Sequence, residues 1–282
     1  MKDIRPIGIF DSGIGGLTVV REIRRQLPAE NLVYFGDTAR VPYGTKSPRV
    51  VYDFAFQDTR FLTGQDVKMV VVACHTVSSI ALGSLQEAFP LPVLGVVEPG
   101  VEAALSATRT GRIGVIGTRA TVLSGAYERS FAARRPGVSV FPQACPLFVP
   151  LVEEGWLEGD VTGQVAELYL RPLMEKRVDT LVLGCTHYPL LKPVIQKIMG
   201  EGVVLIDSAE ETARTVAAKL ITDGITGGPG PAAEPRFFVS DIPQHFRKVG
   251  ELCLGEAMKQ VLQVDLDAGE PGVKKNLHNQ QK

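Results

Sequence analysis

Two cysteines, Cys74 and Cys185, stand in matched surroundings. The segments are Met69-Val-Val-Val-Ala-Cys74-His75-Thr76 and Thr180-Leu-Val-Leu-Gly-Cys185-Thr186-His187. Each is an apolar run, a small residue, a cysteine, and then a histidine and a threonine. A single cysteine in such a place most often packs as a small hydrophobe. A matched pair has another use. Inverting a carbon stereocentre means removing a proton from one face and returning one to the other, and two positioned thiols, one ionised and one protonated, meet that need. A cysteine hydrolase needs one nucleophile, one base and an oxyanion site, which leaves the second cysteine without a task. Cys145 and Cys253 have no polar company and read as packing residues.

The elements that must hold these thiols are strands alternating with helices, the pattern of an α/β fold with mainly parallel sheets. Strands are predicted at 6–10, 32–36, 69–73, 93–97, 112–117, 138–142, 180–184, 203–206 and 236–240. Helices are predicted at 15–26, 48–64, 76–88, 98–106, 120–132, 159–175, 188–199 and 209–221, the last opened by a capping box from Ser208 to Glu211. Ligands collect beyond the C-terminal ends of such strands. Asp11-Ser12, Cys74-His75-Thr76 and Cys185-Thr186-His187 all fall there. The following helix starts should lower a thiol pKa and hold a substrate carboxylate. Ser12, Thr76 and Thr186 also read as N-caps of those helices.

The two cysteine segments belong to a longer repeat. Ile7-Gly-Ile-Phe-Asp-Ser-Gly parallels Ile113-Gly-Val-Ile-Gly-Thr-Arg, with 65 residues from Ile9 to Cys74 and 70 from Val115 to Cys185. The expected architecture is two pseudo-symmetric α/β halves with the site between them. The first half spans 1–97 and the second 98–207; the elements after 208 could complete either. Segment 222–235 reads as an exposed Gly/Pro loop, and 267–282 as a frayed polar tail.

Composition excludes little beyond this. The 282 residues are enough for a large buried core, and 30 basic against 31 acidic side chains give no electrostatic reason for a nucleic-acid or membrane partner. Neither a signal-peptide pattern nor an apolar run of spanning length is present, so a cytoplasmic protein with reduced thiols is expected. The scattered cysteines lack metal-ligand spacing. Gly13-x-Gly15-Gly16 departs from the dinucleotide fingerprint and reads as a turn allowing substrate close to the backbone.

Phe10-Asp-Ser-Gly-Ile-Gly-Gly-Leu-Thr-Val, Pro42-Tyr-Gly-Thr-Lys, Ala73-Cys-His-Thr and Leu183-Gly-Cys-Thr-His-Tyr-Pro-Leu resemble the glutamate racemase motifs of the aspartate/glutamate racemase superfamily. The resemblance covers about residues 6–250. It implies a cytoplasmic enzyme that makes D-glutamate for peptidoglycan without pyridoxal phosphate or metal, and it returns the chain after 208 to the first domain (1–97 plus 208–266, against 98–207). Glutamate is the implied small-molecule partner, and a homodimer is left open. Position by position, the resemblance makes Cys74 the base toward D-glutamate and Cys185 the base toward L-glutamate. Asp11 and His187 assist the thiols, and Glu153 joins His187. Asp11 is also expected to receive the substrate ammonium. Ser12, Tyr43, Gly44, His75, Thr76, Thr186 and His187 complete the implied binding set. His75 departs from the pattern, which has Asn there; a charged imidazole could grip a carboxylate and a neutral one could compete for the Cys74 proton. The alternatives are a superfamily racemase or decarboxylase acting on another substrate, such as aspartate or hydantoin, or a weakly active variant with a binding role.

Overall fold

The computed structural model describes residues 2–228 and 230–266. Ten strands form among them: β1 (Ile7–Asp11), β2 (Leu32–Gly36), β3 (Met69–Val72), β4 (Val93–Gly95), β5 (Arg112–Gly117), β6 (Ser139–Ala144), β7 (Thr180–Gly184), β8 (Val204–Asp207), β9 (Arg236–Val239) and β10 (Val261–Gln263). The helices are α1 (Leu17–Gln26), α2 (Pro48–Thr63), α3 (His75–Ile80), α4 (Leu82–Ala88), α5 (Val97–Ala107), α6 (Arg119–Leu123), α7 (Ala126–Arg134), α8 (Phe148–Glu153), α9 (Asp160–Glu175), α10 (Lys192–Met199), α11 (Ser208–Asp223) and α12 (Pro243–Leu254).

One sheet has the order β10-β9-β2-β1-β3-β4 and the other β6-β5-β7-β8. Every ladder is parallel. The order β2-β1-β3-β4 is therefore repeated as β6-β5-β7-β8, and the sequence repeat is a repeat of topology. β1 corresponds to β5 and β3 to β7, so Cys74 and Cys185 leave equivalent strands. Strands β1, β2, β3 and β7 are buried along their whole length, as their unbroken apolar runs require when helices cover both faces of a parallel sheet. Ile7, Ile9 and Tyr34 join side chains from α1, α11 and α12 on one face of the larger sheet. Phe10, Val33 and Phe35 join those of α2, α3 and α4 on the other. In the smaller sheet Leu181 and Leu183 meet α8, α9 and α10, and Val115 and Val182 meet α5 and α7.

Local sequence rules failed in a few places, for identifiable reasons. The helix expected at 120–132 is two, because Gly125 takes a left-handed conformation (φ 63°) between α6 and α7. The one expected at 76–88 breaks at Ala81, and 188–199 opens as a 3-10 turn, Tyr188–Leu191, before α10. The capping box is not formed: Asp207 caps α11 by accepting from the Ala209 N–H at 3.0 Å, and Ser208 is engaged elsewhere. Helix α8, with Pro150 inside Phe-Val-Pro-Leu-Val-Glu, and strand β10 carry too little periodicity to be anticipated. Residues 267–282 lie outside the described residues.

At the N-terminal edge of the larger sheet, Lys68 is buried and its Nζ donates to Glu30 Oε2 (2.5 Å), Asp3 O (2.8 Å) and Ile225 O (2.9 Å). Glu30 also accepts from the Gly227 N–H at 2.6 Å, so this one pair ties the Gly/Pro-rich loop to the strands beneath it. Breaking a buried pair leaves an uncompensated charge, so Lys68→Ala is expected to lower unfolding stability by about 3–5 kcal/mol in urea titrations. A Lys68→Met/Glu30→Leu double variant should lose clearly less.

Candidate active site

The C-terminal ends of β1, β3, β5 and β7 converge on a small cleft. Both cysteines line it, with Ser12, Tyr43, Gly44, His75, Thr76, Glu153, Thr186 and His187. Ten of the eleven residues singled out from sequence therefore meet at one cavity. The exception is Asp11. It is fully buried beside the lining, with Oδ2 accepting from the Gly13 N–H (3.0 Å) and Oδ1 from the Thr186 hydroxyl (3.4 Å). Its carboxylate is placed to organise the first glycine turn and Thr186, rather than to face the cavity.

The two thiols have unlike surroundings. Cys74 caps the short helix α3, with its Sγ 3.8 Å from Ser12 Oγ. The expectation that a helix start lowers its pKa is overturned: burial, reinforced by Asp11, outweighs the Val77 N–H and Ser12 and pushes the thiol up to about 12. Cys74 rests protonated. The Cys185 sulfur lies 3.8 Å from His187 Nδ1, and His187 Nε2 lies 3.2 Å from Glu153 Oε1. Burial works against a charge on His187, but the Cys185 sulfur and the Glu153 carboxylate overcome it and raise the imidazole to about 10. A cation thus sits beside one sulfur, and a neutral thiol occupies the equivalent position opposite. Burial, opposed by His187 and the local N–H donors, raises Asp11 above the usual carboxylate range.

His75 is neutral. Burial lowers its pKa to about 3, its Nε2 lies 3.0 Å from Ser208 Oγ, and its Nδ1 has no hydrogen-bond partner among the described residues. A charged imidazole gripping a carboxylate is therefore ruled out as the resting state. The contact also explains why Ser208 does not cap α11: the first residue of that helix reaches across to the helix that follows Cys74.

Sequence reasoning missed Thr118, which also lines the cavity and caps α6 through the Thr121 N–H. Its hydroxyl is 3.0 Å from Thr76 Oγ1 and 3.0 Å from Thr121 Oγ1. The signal was present, since the repeat aligns Thr118 with Ser12. Two of the glycines have a further task. A Cβ on Gly15 would stand 2.3 Å from Thr186 Oγ1 and 2.6 Å from His187 Nδ1, and one on Gly44 would stand 2.5 Å from Thr118 Cβ. These glycines let the two halves approach each other.

Residues 7–216 match the family model described as Asp/Glu/Hydantoin racemase. The chain belongs to that family. It is 52% identical over 264 residues to the glutamate racemase of Geobacter metallireducens, covering 94% of this chain and 98% of that one. It is 51% identical over 267 residues to the glutamate racemase of Neisseria gonorrhoeae, covering 93% and 97%. The crystal structure of glutamate racemase from Francisella tularensis in complex with D-glutamate superposes with a TM-score of 0.89 at 41% identity, covering 94% and 99%. In this chain both cysteines line one cavity. No helix among the described residues is long and apolar enough to cross a membrane.

Because Gly44 is pressed against Thr118, Gly44→Ala is expected to hold the two halves apart by a fraction of an ångström to an ångström. Racemase kcat/KM should fall about 10²-fold in steady-state assays. Gly83→Ala, where an added Cβ meets nothing within 4 Å, should leave it unchanged.

Proposed function

We propose that this racemase interconverts L- and D-glutamate without a cofactor, using Cys74 and Cys185 as the two proton-transfer groups. The observation that carries this reading is that two cysteines from equivalent strand ends line one cavity, one of them beside His187. For L-glutamate, Cys185, beside the His187 imidazolium, takes the Cα proton, and the Cys74 thiol delivers its proton to the opposite face. The reverse reaction exchanges the roles. One proton leaves and one arrives, so the substrate gains and loses nothing but its configuration. Glu153 holds His187 in orientation and balances its charge.

Ser12, Thr76, Thr118 and Thr186 supply hydroxyls to the two carboxylates and the ammonium of the substrate, and Tyr43 and Gly44 close one wall. Asp11 acts through Thr186 and the Gly13 turn. Residues 1–97 with 208–266, and 98–207, act as two lobes around this site. The larger sheet takes in β9 and β10, and α5 packs on the smaller one, which supports that division. We place the enzyme in the cytoplasm and assign its product, D-glutamate, to peptidoglycan synthesis, as its similarity to named glutamate racemases suggests.

Circular dichroism of each pure enantiomer tests the reading. The wild-type protein should bring L- or D-glutamate to an equal mixture, and Cys74→Ala or Cys185→Ala should each slow this by about 10³-fold or more in both directions. Wild-type-like rates in either variant would sink the scheme. Since His75 stays neutral at working pH, His75→Asn should change kcat/KM without altering the shape of its pH dependence between about pH 6 and 9. A limb that disappears in the variant would show that His75 titrates in turnover.

A further inference from the structure

Tyr43 and Gly44 form a wall of the cavity, yet the Tyr43 hydroxyl is bonded to two carboxylates that lie off it. Asp37, at the end of β2, and Asp58, within α2, are both 0% exposed. Tyr43 Oη is in hydrogen-bond contact with Asp37 Oδ2 and lies 3.0 Å from Asp58 Oδ2. Two contacts among three oxygens require two protons, and the phenol has one. With both carboxyls ionised, one contact would press lone pair against lone pair in a site without water access. One carboxyl must therefore be an acid. Asp37 is the one saturated with donors: Arg40 Nε reaches its Oδ2 at 2.5 Å, and Ser240 Oγ donates to Oδ1 at 2.8 Å. Asp58 accepts from Arg40 Nη2 on Oδ1 at 3.0 Å, which leaves Oδ2 as the protonated oxygen, donating to Tyr43. Charge agrees, since one ionised carboxyl balances the single Arg40 guanidinium. Arg40 is itself fixed by Gln57 and by the Phe54 ring, 4.1 Å from its centroid.

We propose that Asp58 is a neutral carboxylic acid in the native protein and a positioning residue for the reaction, its proton fixing the Tyr43 phenol and through it the 41–44 wall of the cavity. The groups facing it are Asp37, Arg40 and Tyr43, Gln57 and Phe54 of its own helix, Ser240 behind Asp37, and Asp11 at the end of β1. Burial raises the Asp58 pKa well above its ordinary value, and the Asp37 charge adds to this against Arg40. The consequence for turnover rests on the racemase reading; the protonation itself does not.

Two measurements test this separately. Asp58→Asn keeps a donor for Tyr43 and an acceptor for Arg40, so kcat and KM should stay within about 3-fold of wild type. Asp58→Ala should raise KM at least about 10-fold. Equal damage from both variants would overturn the positioning role. The second measurement needs no activity. A carboxyl whose folded pKa is raised gives stability that is present in full at low pH and is lost as pH rises toward that pKa. Relative to Asp58→Asn, the wild-type unfolding constant should therefore grow, by up to about tenfold per pH unit, as pH rises above the ordinary carboxylate range in urea titrations. Parallel pH curves for the two proteins would overturn the neutral acid. If the wild-type protein fails to racemise glutamate, the functional reading falls while the unfolding comparison still decides the proton.

Discussion

The site depends on one constraint: its polar groups lie at the ends of buried central strands of two parallel sheets, where no charge is tolerated without a partner. Cys74, Cys185, His75, Thr76, Thr186 and His187 are all buried, and burial acts on each according to its partners. Cys74, with only Ser12 and a backbone N–H for support, is held as a thiol. His187, between the Cys185 sulfur and Glu153, is held as a cation. The two halves repeat each other in topology, but not in the residues that follow the cysteines. His75-Thr76 stands opposite Thr186-His187, and that exchange places a cation beside the Cys185 sulfur while the His75 ring turns to Ser208. A symmetric scaffold therefore gives the two sulfurs unlike electrostatic surroundings.

Closure follows from small residues. Gly15 lies against Thr186 and His187, and Gly44 against Thr118, each at a distance that admits no Cβ. The hydroxyls of Thr76, Thr118 and Thr121 interlock across the cleft, and His75 reaches Ser208 on the helix that follows the smaller sheet. The glycine contacts and the threonine hydroxyls draw the two sheet ends together around the cleft.

Much of this was legible from residue order. Continuous apolar runs marked the buried strands, and the repeated run–cysteine–His/Thr pattern located both thiols and the similarity of the halves. Chemistry that depends on tertiary neighbours was not legible. Ser208 satisfies a local capping rule, but Asp207 is nearer in geometry and His75 takes the serine. A helix start ought to favour a Cys74 thiolate, but desolvation and Asp11 are stronger. Asp11 occupies a strand end like the other site residues, yet its carboxylate turns to the Gly13 N–H and Thr186. Asp37, Arg40 and Asp58 are spread over two elements and a loop, so nothing in their spacing shows that they meet at Tyr43. Thr118 alone was recoverable, through its alignment with Ser12 in the repeat.

The central claim is that the two faces of one carbon are served by two different thiols. Turnover of each glutamate enantiomer in D₂O, stopped in the first few per cent of reaction, tests this most directly. Two separate bases predict that deuterium at Cα appears in the newly formed enantiomer and is absent from the recovered starting enantiomer, in both directions. Comparable deuterium in recovered substrate and product would mean that one base serves both faces, and would contradict the account.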